Sequence, residues 1–232
     1  MVVRLPGPAF FKRLRTDRNR NKLTTLEQEA LGEKTVAVVG LSVGHVIAHT
    51  LASEGVGGRI KLADNDNLEL TNLNRIPATV LDLGLNKAIV AARRLLELDP
   101  YLELEIFSGG VDAVNLEQFL DGVDVVIEEC DSFDIKIAVR AAARDAGVPV
   151  VMHTSDRGLL DVERFDLEPD RPLLHGLVGD LTPDVVSGLT TEEKVPYVVG
   201  ILGSSEVSTR LAASLVEIDH QVTSWPQLAE DV

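Results

Sequence analysis

Asp64, Asn72, Arg75 and Lys87 lie in one leucine-rich stretch of the chain. A carboxylate that closes a strand can accept hydrogen bonds from both hydroxyls of a ribose. Arginine offers a planar fork that binds phosphate with two hydrogen bonds, and lysine offers a mobile point charge. Asn72 and Arg75, three residues apart, share a face if their segment is a helical turn. This set is the chemistry of a nucleotide site, and a structural network of ion pairs is the alternative.

A glycine-rich turn, VVGLSVGHV, comes before that stretch. A strand, such a turn and a helix N-terminus form a cradle of backbone N–H groups for phosphate, with Gly40, Ser42 and Gly44 as the candidate contacts. Ser42 replaces the second glycine of the dinucleotide fingerprint G-x-G-x-x-G, and His45 replaces the third. A side chain at the second position hinders a pyrophosphate, so the turn argues against NAD. Two cations beside such a cradle suit a triphosphate better, and a plain strand–helix turn is the alternative.

Three further residues could bear on metal chemistry. Asp131 follows an apolar run and opens a helix, where it could hold Mg²⁺ together with phosphate oxygens, or simply act as an N-cap. His45 and His49 are one helical turn apart, which is half of a metal site. No third ligand is evident, and we therefore predict that both are helix-surface histidines. Cys130 is interpreted as a packing residue rather than a nucleophile.

Alternating strands and helices must position these groups. Short, mostly apolar runs predict strands at residues 34–40, 58–64, 123–129 and 148–154, and alternation of apolar and polar residues predicts one at 102–108. Helices are predicted at residues 43–54, 86–100 and 132–147. This alternation indicates an α/β fold with a doubly wound, mostly parallel sheet, in which ligands bind at the carboxyl ends of the strands. After residue 154 turns dominate, with one or two strands and a last helix expected near residues 204–224.

Charge and composition exclude several classes of protein. The formal net charge is −15, yet the first 22 residues hold seven of the 22 basic residues and one of the 37 acidic ones. So acidic a body argues against nucleic acid as a partner. The basic run is either a solvated, partly disordered tail or an arm that meets an anion. Without a long apolar run, a signal sequence or a second cysteine, we expect a cytoplasmic protein with no membrane contact and no zinc.

These motifs together resemble the ubiquitin-activating-enzyme-like family, which includes activators of the ThiF, MoeB and HesA type. The family pattern is a glycine-rich turn, then D-x-D-x-(V/L)-x-x-(S/T)-N-L-x-R, then a lysine before a helix, and an aspartate after a later strand. This sequence contains GLSVGH, DNDNLELTNLNR, GLNKA and ECDS in the same order. The resemblance covers residues 18–153 and implies a Rossmann-like fold that binds ATP and Mg²⁺.

The resemblance also implies a role for each residue of the site. Asp64 would bind the ribose, and Asp66 is the second aspartate of the motif. The residues expected at the ATP phosphates are Thr71, Asn72, Arg75 and Lys87, with Asp131 at the Mg²⁺. Arg20 falls on the second arginine of the family's R-Y-x-R-Q arm, which reaches the ATP of the other subunit. A homodimer with Arg20 acting in trans is therefore expected.

The family reaction is the attack of a carboxylate oxygen on the α-phosphorus of Mg·ATP, which gives an acyl-adenylate and pyrophosphate. The carboxylate would be the C-terminus of a ubiquitin-like or sulfur-carrier protein, or of a peptide. Many members use a downstream cysteine as acyl acceptor or carry paired CxxC zinc motifs, but this sequence has neither after Cys130. Activation would then end at the adenylate, or the acyl group would pass to another protein.

On this basis we divide the chain into three parts of one domain. These are a basic arm and helix at residues 1–30, an ATP-binding Rossmann-like part at 31–153, and a crossover segment with a closing helix at 154–232. The chain also resembles the ThiF-like part of longer bacterial proteins that carry a nitroreductase-like domain downstream. Two alternatives remain, a weakened nucleotide-binding domain that dimerises and an NAD-binding oxidoreductase domain.

Overall fold

A six-stranded sheet forms the centre of the computed structural model, which describes residues 5–153, 160–202 and 213. Five strands are parallel: β1 (Thr35–Val39), β2 (Arg59–Ala63), β3 (Glu103–Phe107), β4 (Val125–Glu128) and β5 (Val150–His153). The sixth, β6 (Leu160–Glu163), is antiparallel to β5. The strand order is β3-β2-β1-β4-β5-β6. The predicted α/β class and the doubly wound, mostly parallel sheet are confirmed, and so are all five predicted strands.

The described helices cover both faces of this sheet. They are α1 (Pro8–Arg15), α2 (Thr25–Leu31), α3 (Gly44–Glu54), α4 (Lys87–Leu98), α5 (Leu116–Leu120), α6 (Phe133–Ala146), α7 (Pro183–Ser187) and α8 (Thr191–Leu202). The apolar sides of α3 and α4 pack on one face of β1, β2 and β4. The other face packs against α5, α6 and the elements that follow β6. The three predicted helices are α3, α4 and α6, while α5 was not predicted.

The two helices α3 and α4 both begin at the carboxyl edge of the sheet and end at the amino edge. The amino-terminal arm, residues 5–31, is attached at this amino edge. Arg15 donates to the carbonyl oxygen of Ser53 at 2.8 Å and to Asp99, the C-cap of α4, at 3.0 Å. A cation is stabilising at the carboxyl ends of helices. The interpretation of the basic run as a partly disordered tail is therefore wrong for the described residues, because they fold as α1, a 3₁₀ turn (Asp17–Asn19) and α2.

A buried ion network ties the segment after β6 to the sheet. Arg140 of α6 donates to Glu128 at the end of β4 and, at 2.6 Å, to Glu163 at the end of β6. Glu163 also accepts the backbone N–H of Leu174 at 2.6 Å. None of the three charged side chains is exposed to solvent. Burial alone would raise the pKa of Glu128, but Lys136 and Arg140 hold it at about 2.

The chain after β6 continues through a 3₁₀ turn (Leu173–Gly176) into α7 and α8. The last helix predicted from the sequence, near residues 204–224, lies outside the described residues. No helix in the described part of the chain is long and apolar enough to cross a membrane.

Candidate active site

A cavity of about 320 Å³ opens at the carboxyl edge of the sheet, around the point where the strand order reverses between β1 and β4. The turns after four strands and the first residue of α4 line it. The polar or flexible residues of this lining are Gly40, Ser42, Asp64, Asn65, Asp66, Lys87, Gly109, Gly110, Glu129, Cys130, Asp131 and Ser132. Parallel strands bring these turns together because their carboxyl ends meet at one edge.

The glycine-rich turn needs its glycines for close packing. Gly40 has a φ of +83°, and a Cβ atom there would lie 2.5 Å from the carbonyl oxygen of Glu129. A Cβ atom on Gly44 would lie 2.7 Å from Cγ1 of Val38, so this glycine lets α3 begin close against β1. Gly40 and Ser42 line the cavity, whereas Gly44 is not part of the lining.

Asp64 links the turns after β1 and β2. One carboxylate oxygen accepts the backbone N–H of Leu41 at 2.7 Å, and the other accepts that of Asp66 at 2.8 Å. Burial raises the pKa of Asp64, and these two N–H groups and Lys87 oppose the increase. A carboxylate oxygen can accept more than one hydrogen bond, so both oxygens keep capacity for a ligand hydroxyl. The binding of a ribose by Asp64 remains a prediction.

Lys87 is held over the cavity by Asp66. Its Nζ lies 2.8 Å from Oδ2 of Asp66, and its backbone N–H donates to the carbonyl oxygen of Asp66 at 2.9 Å. The Lys87 side chain is 9% exposed and that of Asp66 64%. The cation is thus fixed in direction while its partner stays in water. An anionic ligand in the cavity can therefore share the charge of Lys87 with Asp66.

Arg75 reaches the glycine-rich turn from a 3₁₀ turn (Leu70–Asn74). Its guanidinium donates to Oδ1 of Asn74 at 2.9 Å and to Oγ of Ser42 at 3.4 Å. The Nε atom is buried and has no partner among the described residues. Burial lowers the pKa of Arg75, and the charge of Asp131 opposes that decrease. Arg75 is not among the residues that line the cavity, but it contacts the lining residue Ser42.

The other two residues of the motif serve the 3₁₀ turn itself. Asn72 is buried, and its Oδ1 accepts the backbone N–H of Glu69 at 2.9 Å. Thr71 is exposed. Neither residue is among those that line the cavity. The predicted helical turn is confirmed, while direct contact of Thr71 and Asn72 with a ligand remains a prediction.

Asp131 stands at the mouth of the cavity, immediately before Ser132 caps α6. Although its side chain is exposed, the surrounding protein atoms remove enough hydration to raise its pKa, and the charges of Lys136, Lys87 and Arg75 oppose the increase. The described residues contain no cluster of three or more His, Cys, Asp or Glu that could hold a metal ion. A single exposed carboxylate suits Mg²⁺ only when a ligand supplies further oxygens, as phosphates do.

Cys130 and the two glutamates before it have structural contacts. The thiol of Cys130 lies 2.8 Å from Oε1 of Glu128, and burial together with that carboxylate raises its pKa well above the usual value. Its interpretation as a packing residue agrees with this geometry, because a thiol in this state is a poor nucleophile. Glu129 accepts the backbone N–H of His153 at 2.7 Å, and burial raises its pKa to about 8.

The structure does not bring Arg20 to the cavity of its own chain. Arg20 is exposed and pairs with Asp17 at 2.8 Å. Its neighbour Asn19 donates to the carbonyl oxygen of Glu54, the last residue of α3. An α-helix rises 1.5 Å per residue, so the length of α3 separates Arg20 from the glycine-rich turn by about 16 Å.

Sequence reasoning misplaced one residue and missed another. His45 was predicted on a helix surface, but it is fully buried, and burial lowers its pKa to about 4. Its ring faces inward because it lies on the side of α3 that packs toward the sheet and α4. Asn86 was not singled out, although its side chain binds three backbone carbonyls in the turns after β2 and β3. Its position before a helical run indicates an N-cap, but nothing local indicates the other contacts.

A family model and several known proteins match this chain. The model of the ThiF family matches residues 16–224. Uncharacterized protein MT1398 of Mycobacterium tuberculosis (strain CDC 1551 / Oshkosh) is 56% identical over 232 residues, which are 100% of this chain and 32% of that protein. A probable molybdopterin-synthase adenylyltransferase of Porphyra purpurea is 33% identical over 108 residues, 46% of this chain and 28% of that protein.

A solved structure is also similar. It is the E. coli tRNA N6-threonylcarbamoyladenosine dehydratase TcdA in complex with AMP, with 27% identity and a TM-score of 0.60. The similarity covers 68% of this chain and 64% of that one. The chain spans about a third or less of the length of the two curated relatives above.

Proposed function

The chain belongs to the ThiF family, and we propose on this basis that it activates a carboxylate by adenylation with Mg·ATP. One observation carries the proposal: Asp64, Lys87 and Asp131 line a cavity at the switch point of the sheet, and Arg75 contacts Ser42 of the same lining. The adenylyltransferase name of one relative and the AMP bound to a structural neighbour support it. An NAD-dependent oxidoreductase would explain Asp64 but neither Lys87 nor Arg75.

In the proposed reaction the protein positions the reactants and stabilises charge, since adenylation asks for little covalent chemistry from side chains. Asp64 binds the ribose hydroxyls and so fixes the nucleotide against the turns after β1 and β2. Lys87 and Arg75 neutralise the charge that gathers on the phosphates as the carboxylate oxygen attacks the α-phosphorus. Ser42 and the N-terminal turn of α3 provide the floor beneath the phosphates.

Asp131 is the residue that would hold Mg²⁺, because it is the exposed carboxylate at the mouth of the cavity. The bound ion would supply charge stabilisation of the pyrophosphate that leaves. Burial raises the pKa of Asp131, and the charges of Lys136, Lys87 and Arg75 oppose that increase. This chain would then contribute one metal ligand, and phosphate oxygens and water would contribute the others.

The substrate in this proposal is the carboxyl terminus of a ubiquitin-like or sulfur-carrier protein, or of a peptide. The raised pKa of Cys130 argues against transfer of the acyl group to that thiol. The reaction within this chain therefore ends at the acyl-adenylate.

Calorimetric titration tests the nucleotide part of the proposal. Mg·ATP should bind more tightly than NAD or FAD, and Lys87→Ala should weaken Mg·ATP binding about tenfold or more, since one charged hydrogen bond contributes roughly 1.5–3 kcal/mol. Lys34→Ala is the matched control, because Lys34 forms an exposed pair with Asp124 at 2.8 Å and lies outside the cavity lining. Tight NAD binding with no response to ATP would refute the proposal.

We further propose a homodimer in which Arg20 acts at the cavity of the other subunit. The separation of about 16 Å along α3 argues against action in cis. Arg20→Ala should lower carboxylate-dependent exchange of pyrophosphate into ATP about ten- to a hundredfold without loss of the fold.

Mixed dimers test the trans arrangement directly. Arg20→Ala and Asp131→Ala homodimers should both be nearly inactive. After random subunit exchange, about half of the dimers carry one intact site, so activity should return to about a quarter of the wild-type value. If exchange is verified and no activity returns, the trans role of Arg20 is wrong.

A further inference from the structure

We propose that Asn86 is a positioning residue whose single carboxamide holds Lys87 and the turns after β2 and β3 as one rigid unit. The nature of the ligand in this inference rests on the proposed function, whereas the geometry of Asn86 does not. Asn86 does not line the cavity, and it would act through Lys87 and Asp64.

The carboxamide of Asn86 uses both of its ends. Nδ2 donates to the backbone carbonyl oxygens of Asp64 at 2.9 Å, Ser108 at 3.0 Å and Asp66 at 3.2 Å. Oδ1 accepts the backbone N–H groups of Ala88 at 3.0 Å and Ile89 at 3.4 Å, which makes Asn86 the N-cap of α4. An amide offers two donor hydrogens and two acceptor lone pairs, so its capacity is fully used.

Backbone hydrogen bonds place Asn86 at the centre of this junction. Leu68 donates to the carbonyl oxygen of Leu85 at 2.7 Å, and Lys87 donates to that of Asp66 at 2.9 Å. Asn86 lies between these two bonds and forms an antiparallel bridge with Asn67. The segment before α4 is thus paired with the segment after β2, and the side chain of Asn86 extends the connection to the end of β3.

The consequence for the cavity follows from what each partner carries. Asp64 is the proposed ribose ligand, Lys87 follows Asn86 directly, and Ser108 comes just before Gly109 and Gly110 of the lining. The three carbonyl contacts therefore set the distance from the carboxylate of Asp64 to the cation of Lys87. The three carbonyl contacts need the N–H₂ group of Asn86. The cap of α4 needs only an acceptor, which a hydroxyl or carboxylate oxygen at residue 86 could still provide.

Two substitutions separate capping from positioning. Asn86→Ser keeps an N-cap acceptor and removes the three carbonyl contacts, and the dissociation constant of Mg·ATP should rise about tenfold. Asn86→Ala should weaken binding by the same factor and also lower the melting temperature. Thr182→Ala is the matched control: Thr182 caps α7 with its side chain, so this variant should lose thermal stability and keep its affinity for Mg·ATP.

A measurement without nucleotide tests the same inference independently. The rate at which acetic anhydride labels Lys87 should rise several-fold in Asn86→Ser, measured by mass spectrometry. Lys61 is the internal reference, since it is buried and donates to the carbonyl oxygens of Gln118 and Asp121 at 2.9 and 2.8 Å. Its labelling should not change.

The outcomes are distinct. Unchanged labelling of Lys87 overturns the inference, whatever the nucleotide result. Faster labelling with an unchanged dissociation constant also overturns it, because the cavity would then not depend on Asn86. If the wild-type protein does not bind Mg·ATP, the proposed function fails, and the labelling rate alone decides whether Asn86 fixes Lys87.

Discussion

Replacing Arg140 with methionine should destabilise the protein strongly. Arg140 is buried and does not lie on the surface where a ligand could meet its charge. The guanidinium donates to Glu128 and Glu163, and all three side chains are fully buried. In Arg140→Met, Glu128 keeps its pair with Lys136 at 2.8 Å, while Glu163 keeps only the N–H of Leu174 among its partners in the described part of the chain. Removing one partner of a buried ion pair costs about 3–5 kcal/mol, because a charge is left uncompensated.

Urea unfolding at neutral pH measures this loss as a lower midpoint with an unchanged slope. In a chain of this size the same loss lowers the melting temperature by roughly 10 °C. Lys34→Met is the control, since the exposed pair of Lys34 with Asp124 should contribute no more than about 1 kcal/mol. Adding Glu163→Gln to Arg140→Met should restore part of the lost stability by removing the uncompensated charge.

The pH dependence of the wild-type protein provides a second measure of the network. The pKa of Glu128 is lowered from 4.5 to about 2, so the folded state binds this proton more weakly than the unfolded state does. The corresponding stabilisation is about 3 kcal/mol, complete above pH 4.5 and lost as the pH falls toward 2. A cost of Arg140→Met no larger than that of Lys34→Met would refute the reasoning, because the network would then not hold the segment after β6.

Three further substitutions test other features of the site. Cys130→Ala should keep Mg·ATP binding in calorimetry, because the thiol is buried against Glu128; loss of binding by a folded variant contradicts its packing role. Burial lowers the pKa of His45 to about 4, so between pH 6.5 and 4 only the unfolded chain protonates this residue, and the wild-type protein should lose up to about 3 kcal/mol of stability as the pH falls. His45→Leu should remove this loss, measured by thermal melts across the same pH range. Gly40→Ala should destabilise the fold by more than about 1 kcal/mol in urea and weaken Mg·ATP binding, because its Cβ would clash with the backbone of Glu129; a neutral effect on both would be inconsistent with the close packing of this turn.

The central sheet could be predicted from the sequence because buried parallel strands are short, continuous apolar runs. The same rule predicted the meeting of Asp64 and Asp131, since each follows such a run and the carboxyl ends of parallel strands share one edge. Lys87 could be added because a helical pattern starts at that residue. These inferences need only periodicity and the handedness of the fold.

The remaining features depend on contacts between distant segments. Asn86 looks like an N-cap in the sequence, yet its carbonyl partners at Asp64 and Ser108 are each 22 residues away. Arg140 and Glu163 look like ordinary solvated charges, and only the packing of α6 against β6 buries them together. His45 follows a glycine-rich turn, where its side chain could equally face solvent or sheet. Local patterns carry no information about which of these outcomes tertiary packing selects.

The position of Arg15 changes how deletions of the amino-terminal arm should be interpreted. Its guanidinium lies at the carboxyl ends of both α3 and α4, and the opposite ends of these helices, about 16 and 18 Å away, lie at the carboxyl edge of the sheet, where Lys87 of α4 lines the cavity. The peptide dipoles of both helices point their positive ends at the cavity and their negative ends at the arm. A truncated protein that lacks the arm would therefore lose Arg20 and also the cation that balances both negative helix ends. A less stable fold in such a truncation would report the loss of the Arg15 contacts at both helix ends, so only Arg20→Ala isolates the role of Arg20.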